Sequence, residues 1–279
     1  MGKILWLASY PKSGNTWVRL FLANLLKGDG NAPVALDRIG EATLAEPGTA
    51  GFALFDPRPW QDWSIEEVAA MRPRVQERIA STGPGVVPVK THSAFVLVKG
   101  VPVINMAVTA GVIYVVRNPL DVAVSYAHHQ GVEVDRIIEI MASNMFRTPS
   151  NAANVYEVMG SWSQHVASWT ASKSAMIHIM RYEDMLADPQ GAFAGLVGFM
   201  RIEMADDAVR RAVEMSAFDA VSQQETAEGF AERTPAQDRF FRSGQAGQWR
   251  EVLSDAQIAA VVDAHRDEMA RYDYLPEGF

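Results

Sequence analysis

Lys3-Ile-Leu-Trp-Leu-Ala-Ser-Tyr-Pro-Lys-Ser-Gly-Asn-Thr-Trp17 decides how the chain is read. Lys3–Ser9 is a short apolar run suited to a buried strand. Tyr10–Asn15 carries Pro11 and Gly14, which break regular structure. From Thr16 to about Lys27, the residues Trp17, Leu20, Phe21, Asn24 and Leu25 recur at intervals of three and four, which predicts a helix. The order is therefore strand, glycine-containing turn, helix. A helix N-terminus presents unpaired N–H groups and the positive end of its dipole. Gly14 lets the backbone close on an anion and Lys12 adds a mobile charge, so the turn reads as a phosphate site. It is not a Walker loop. That pattern has two glycines and a Lys directly before Ser or Thr, whereas Lys12 precedes Ser13-Gly14.

Working outward, Val86–Lys90, Gly111–Val116 and Met176–Met180 are further strand candidates, and the first two are β-branched runs suited to a buried parallel sheet. Leu120 to about His129 and Gln190–Met200 read as helices after Pro119 and Pro189. Asn154–Thr170 places Val155, Met159, Trp162, Val166 and Trp169 on one helical face, a stripe read as core. Ser64-Ile-Glu-Glu67 and Ser254-Asp-Ala-Gln257 have capping-box form, and the second opens a helix reaching about Arg271. Alternating strands and helices predict a P-loop-like, three-layer α/β fold with a central, mostly parallel sheet flanked by helices. The whole of 1–279 is expected to be one domain, with no internal repeat or linker. Glu41–Trp63 and Thr226–Gln248 resist regular structure and read as functional loops.

The composition narrows the function. The 279 residues carry a net charge of −8, and no Lys/Arg run offers a nucleic-acid surface. A polyanionic ligand must then be held by a local basic cluster. The absence of cysteine excludes disulfides, thiolate metal sites and a cysteine nucleophile. Met1–Lys12 lacks a secretory-signal pattern, and Trp6 stands where myristoylation wants Ser or Thr. The longest uncharged stretch, Gly100–Val116, is too short and polar to span a bilayer. A cytoplasmic protein without membrane insertion is expected.

Two further basic pieces follow strands or loops. Arg117-Asn-Pro-Leu-Asp-Val-Ala-Val-Ser125 begins at a strand's carboxyl end, where open α/β sheets collect ligands. A guanidinium fork and a hydroxyl suit a phosphate. Arg239-Phe-Phe-Arg-Ser-Gly-Gln-Ala-Gly-Gln-Trp249 could fold over an anion through Arg242, Gly244 and Gly247, or be a solvated loop. His128-His129 point to different sides of a helix and read as helix surface or acceptor-site lining, not as a metal pair. His165, His178 and His265 have no motif around them.

Together these segments resemble the cytosolic-type sulfotransferases, which use 3′-phosphoadenosine 5′-phosphosulfate (PAPS). The resemblance runs from Lys3 to about Trp249, and in general style it is to bacterial members that modify secondary metabolites. Tyr10–Trp17 is similar to the family's 5′-phosphosulfate loop, with Asn15 in place of the usual Thr. Arg117–Ser125 is similar to its 3′-phosphate motif, and Val89-Lys-Thr-His92 to the strand end carrying its catalytic base. Arg181-Tyr-Glu-Asp-Met185 with Asp188-Pro189, and Ser216-Ala-Phe218, are also family-like. Phe241-Arg-Ser-Gly244 with Trp249 resembles the late 3′-phosphate loop, in which Ser243 replaces the usual Lys.

The resemblance implies the roles. PAPS is the sulfuryl donor, PAP the product, and no metal takes part. Lys12 would stabilise charge on the leaving phosphate, His92 would accept the acceptor's proton, and Lys90 would steady the sulfuryl oxygens. Ser13 belongs to the same loop. Backbone N–H groups around Gly14, with Asn15 and Thr16, would hold the 5′-phosphate. Arg117, Ser125 and Arg242, with Ser243 and Gly244 in the same loop, would hold the 3′-phosphate. Trp17 and Phe218 would flank the adenine, with Tyr182 at its edge. The acceptor is expected to be a small hydroxyl compound: a phenol, an alcohol, a sugar or a natural product. Glu41–Trp63, Ile137–Phe146 and Thr226–Asp238 are the candidate acceptor segments, and the apolar and aromatic content of the first two favours a hydrophobic acceptor body. The competing readings are a P-loop kinase or NTPase using Mg-ATP, and a non-catalytic nucleotide-binding protein of the same fold. The oligomeric state is left open, because the family's C-terminal dimer motif is not clear in Arg250–Glu268.

Overall fold

A computed structural model describes residues 2–83, 85–172 and 174–279. The apolar run Lys3–Ser9 forms β1, and its alternate residues enter two cores. Ile4, Trp6 and Ala8 pack on one face, Leu5 and Leu7 on the other. A strand buried on both faces cannot alternate polar and apolar residues, which explains the continuous run. The other strands are β2 (Leu44–Ala45), β3 (Val86–Thr91), β4 (Leu97–Val98), β5 (Val101–Pro102), β6 (Thr109–Val116) and β7 (Ile177–Arg181). Five of them form one parallel sheet in the order β2-β3-β1-β6-β7, and β4-β5 is a separate antiparallel pair.

The strand order fixes where a ligand can sit. The chain goes from β1 to β3 on one side, then crosses to β6 on the other, so β1 lies at the topological switch point. The registers Ala8↔Thr91 and Ser9↔Val115 bring three strand ends together. His92, Tyr10 and Arg117 therefore leave the sheet at the same edge.

The helices of two turns or more are α1 (Asn15–Leu26), α2 (Ile65–Ala80), α3 (Pro119–Gln130), α4 (Val134–Ala142), α5 (Trp162–Thr170), α6 (Pro189–Met200), α7 (Asp206–Ser216), α8 (Phe218–Glu228) and α9 (Asp255–Arg271). One layer has α3, α4, α5 and α9 around Trp162, Tyr114 and Val122; the other has α1, α6 and α7 around Phe21, Phe193 and Val213. This is the three-layer α/β arrangement expected from the alternating pattern. Both predicted capping boxes form, at Ser64–Glu67 and Ser254–Gln257. Each cap is worth about 1 kcal/mol. Among the described residues no helix is long and apolar enough to cross a membrane.

Two expectations need correction. The stripe Asn154–Thr170 is helical only from Trp162, where Ser161 and Gln164 form a third capping box. Before it the backbone is extended and pairs outward instead of along a helix: Val155 N–H donates to Pro47 (2.8 Å), and the Val158 carbonyl accepts from Ala94 N–H (2.6 Å). All five stripe residues are nonetheless buried. Periodicity reported the burial correctly but not the conformation. Ile137–Phe146 does not reach the cavity described below: Ile137, Ile138 and Met141 are core residues of α4. Glu41–Trp63 is irregular as expected, apart from single turns and the two residues of β2. A buried ion pair holds it: Arg72 of α2 donates to Glu46 (2.6 Å) and to the Tyr156 carbonyl (2.7 Å), and Gln76 donates to the other Glu46 oxygen (3.1 Å). That cluster ties α2 to the segment after β2 and to the irregular stretch before α5.

Candidate functional site

The turn between β1 and α1 is built for an anion. Gly14 precedes α1 at φ +107°, and no side chain caps the helix. The first turn of α1 contains no acidic residue, so its N–H groups and dipole are left for a ligand. An added Cβ on Gly14 would lie 2.7 Å from Cδ2 of Tyr182, so only glycine fits. Lys12 has φ +65°, a left-handed conformation unusual for a lysine.

Above this turn lies a cavity of about 520 Å³. Lys12, Lys90, Arg117 and Arg242 line it, as do Gly14, Asn15, Thr16, Trp17, His92, Ser125, Tyr182, Phe218, Ser243 and Gly244. Sequence-distant segments thus converge on one space. Ser13 does not line it, and its buried hydroxyl has no partner among the described residues. The Asn15 amide also turns away, donating to the Leu7 carbonyl (2.9 Å) and Ser9 Oγ (3.3 Å). The expected amide-to-phosphate contact is replaced by a brace between α1 and β1. Asn15 can offer the cavity its backbone N–H.

The cations repel one another. Burial, then Arg117, lowers the Lys12 pKa to about 8, with Lys90 and Arg242 adding to the effect and Glu232 opposing it. Lys12 Nζ rests 4.3 Å from the centre of the Phe240 ring. Arg117 is clamped by the Lys12 carbonyl (3.1 Å) and the Gln245 carbonyl (3.0 Å), and lies 4.3 Å over the Tyr182 ring. Arg242 donates to Gln248 (2.6 Å), whose amide also contacts Ser243 Oγ. Ser125 has no protein partner among the described residues and opens to the cavity. Trp17 packs edge-on against Tyr182 (6.0 Å between centroids) and Phe193 (5.6 Å). Phe218 lies under Gly244, where an added Cβ would approach its ring to 2.3 Å.

His92 sits at the end of β3. Its Nδ1 is 2.8 Å from the Ser9 carbonyl oxygen. A carbonyl only accepts, so Nδ1 carries the proton and the Nε2 lone pair is left free. Burial and then Lys90 drive its pKa well below the ordinary histidine value. The ring is neutral at pH 7. His165, which had no motif, supports this position: its Nε2 meets the His92 carbonyl (3.0 Å) and its Nδ1 the Tyr114 hydroxyl (2.8 Å). His128 and His129 both line the cavity, and His129 pairs with Gln237 (2.9 Å).

Four carboxylates at the site were not singled out from the sequence. Asp121 accepts from Gly247 N–H (2.7 Å) and Trp249 N–H (3.2 Å), anchoring the late loop to α3. Glu225 does the same for Phe240 and Phe241 N–H (2.7 and 2.9 Å). Glu232 pairs with Arg19 (2.6 Å) and approaches Lys90 (4.0 Å). Glu157 accepts from His92 N–H (2.7 Å). Asp121 lies inside the Arg117–Ser125 motif and Glu157 inside the Asn154–Thr170 stripe; for these two, as for Glu225 and Glu232, nothing in the local pattern signals a tertiary partner. Among the described residues no cluster of His, Asp or Glu could hold a metal ion.

An uncapped helix N-terminus and a buried Lys12 with Lys90, Arg117 and Arg242 around it, at the ends of parallel strands, define an α/β protein with an anion site. Residues 3–273 match the sulfotransferase domain family, and the chain belongs to it. Bovine Sulfotransferase 1A1 is 26% identical over 91% of this chain and 79% of its own length. Human Sulfotransferase 2B1 is 24% identical over 98% of this chain and 67% of its own. The fold is similar to that of mouse sulfotransferase SULT7A1 complexed with PAP (TM-score 0.65, 18% identity, 97% of this chain and 85% of that one). It is equally similar to retinol dehydratase in complex with androsterone and inactive cofactor PAP (TM-score 0.65, 18% identity, 95% and 80%).

Proposed function

We propose that residues 1–279 act as one domain that moves the sulfuryl group of PAPS onto a hydroxyl of a small acceptor, with His92 as general base. The residues present fit the donor. Unpartnered N–H groups at Gly14–Thr16, the free Ser125 hydroxyl and the repulsion among Lys12, Arg117 and Arg242 all call for an anion with two phosphate ends. Bound PAPS supplies an activated sulfuryl group on its 5′-phosphate. The α1 N-terminus and Lys12 hold that end, and Lys12 faces the charge that develops on the leaving phosphate. Arg117, Ser125 and Arg242 hold the 3′-phosphate. Trp17 and Phe218 border the adenine position, and Tyr182 backs Arg117.

The observation that carries the assignment is the Nδ1 contact of His92 with the Ser9 carbonyl. It leaves the neutral Nε2 as the free ring nitrogen of a histidine that lines the cavity together with Lys90. Such a group takes a proton from a hydroxyl as the oxygen attacks sulfur. Lys90, at the same strand end, meets the sulfuryl oxygens. The protein works in the cytoplasm in this reading.

Calorimetric titration with adenosine 3′,5′-bisphosphate, beside Mg-ATP, tests the donor assignment. Tight binding of the bisphosphate without metal is expected; binding of Mg-ATP alone would overturn it. His92→Ala should lower kcat by about 10²–10⁴-fold while the bisphosphate still binds. An unchanged rate removes His92 from the mechanism. Arg117→Ala should weaken the bisphosphate far more than adenosine 5′-monophosphate, and equal weakening would contradict a 3′-phosphate role.

A further inference from the structure

The donor end of the cavity is cationic, and its wall beyond His92 combines apolar groups such as Pro47 and Met159 with polar ones. It presents Thr148, Asn154, Glu157, His129 and Gln237. Glu157 is the unusual member. It lies on the extended stretch before α5, and its backbone N–H donates to Thr148 Oγ1 (2.8 Å). One carboxylate oxygen accepts the backbone N–H of His92 (2.7 Å), which fixes the side chain beside the base. Among the described residues no donor reaches the second oxygen, and no cation comes within 4.0 Å of the carboxylate. Burial raises its pKa, as expected of a carboxyl short of partners. Glu232, the other acid on this side, already has Arg19. With the four cations of the cavity committed to the donor, the free oxygen of Glu157 is left for the acceptor to satisfy.

We propose that Glu157 selects acceptors that carry a second hydrogen-bond donor, a hydroxyl or an ammonium, next to the hydroxyl that is sulfated. This rests on the reading of the cavity as a sulfotransferase site. The acceptor's reacting O–H meets Nε2 of His92 while its neighbouring O–H or N–H donates to the free oxygen of Glu157. A simple phenol leaves that carboxylate desolvated and unpaired, and a site built to receive a donor rejects the analogue lacking it.

The test compares kcat/KM, with PAPS as donor, for phenol, catechol and salicylamine, and for cyclohexanol, trans-cyclohexanediol and trans-aminocyclohexanol. The wild-type enzyme is expected to favour the two-donor members of at least one series by about tenfold or more. Preference for the diol identifies a neutral donor, and preference for the amine a cationic one. In Glu157→Gln the ratio should fall to about one, and in Glu157→Asp it should be partly restored. Bisphosphate titration of each variant verifies its fold. Equal treatment of the acceptors by the wild-type enzyme, or a preference that survives Glu157→Gln, overturns the proposal. So does failure to turn over any of the six while the bisphosphate binds. Absence of bisphosphate binding would instead remove the sulfotransferase reading beneath it.

Discussion

Lys12 shows how much one residue's surroundings can set its chemistry. Its charge is held beside Arg117, in a buried position that lowers its pKa to about 8. Below that pH the ammonium is present and attracts the donor; above it the group is neutral and the attraction is lost. Affinity for adenosine 3′,5′-bisphosphate should therefore fall as pH rises through about 8, with proton uptake on binding. Calorimetry in two buffers of different ionisation enthalpy reads this directly, and Lys12→Ala should abolish the uptake. At Gly14 the argument is steric. Alanine there would be strained at φ +107° and would push Tyr182, the platform of Arg117. Gly14→Ala should weaken the bisphosphate by about tenfold or more, with little change in Tm if the damage stays local. Ser243 is a neutral residue on the cavity beside Arg242, so Ser243→Lys should tighten the bisphosphate and steepen its salt dependence.

Among the elements, the loop from Gly229 to Gln248 has no regular structure of its own and depends on acids from two helices. Asp121 of α3 takes the N–H groups of Gly247 and Trp249, and Glu225 of α8 those of Phe240 and Phe241. The loop brings Arg242 and Phe240 to the site, so its tethers bear on ligand binding. Asp121→Ala leaves two N–H groups without their acceptor, at about 1–3 kcal/mol each. We expect it to lower bisphosphate affinity at least tenfold, while Asp121→Asn retains more. Equal binding by Asp121→Ala would show that the loop closes without the tether. The Arg72–Glu46 pair works similarly for α2, and removing one partner from such a buried pair costs roughly 3–5 kcal/mol.

For the molecule as a whole, acid stability should be governed by its histidines. His165 and His265 are buried and neutral, and burial holds both near a pKa of about 4; burial also lowers that of His92. In the unfolded chain each titrates near 6.5. Above that value both states are neutral and the full stability is present. As pH falls from about 6.5 towards 4 the unfolded state binds more protons, and stability is lost. Tm measured from pH 7.5 to 5 should drop steeply below about 6.5. His265→Gln, which keeps a partner for Ser163, should make the drop shallower. A flat profile would show that these rings are not neutral in the folded protein.

Read alone, the residues of this chain determined its layers and most of the segments that meet at the cavity above the β1–α1 turn. β1 and β6 were legible because strands buried on both faces must be apolar throughout, β3 and β7 as short apolar runs although they are only partly buried, and the glycine turn before α1 because Lys12 and Gly14 precede a helical pattern. Arg117 and Ser125 followed from a strand end and helical spacing. Tertiary structure decided what local pattern does not encode. It placed the Asn15 amide on β1 and left Ser13 off the cavity. It kept Val155–Met159 out of the helix, because those backbone groups found partners on other segments, and so brought Glu157 against His92. Of the three candidate acceptor segments it left Ile137–Phe146 out of the cavity, because α4 spends its apolar face on the core, and it put Thr148, Asn154, Glu157 and Met159 along the cavity beside residues of the other two. Periodicity measures burial along one element, whereas a carboxylate's role depends on which distant N–H or cation it meets.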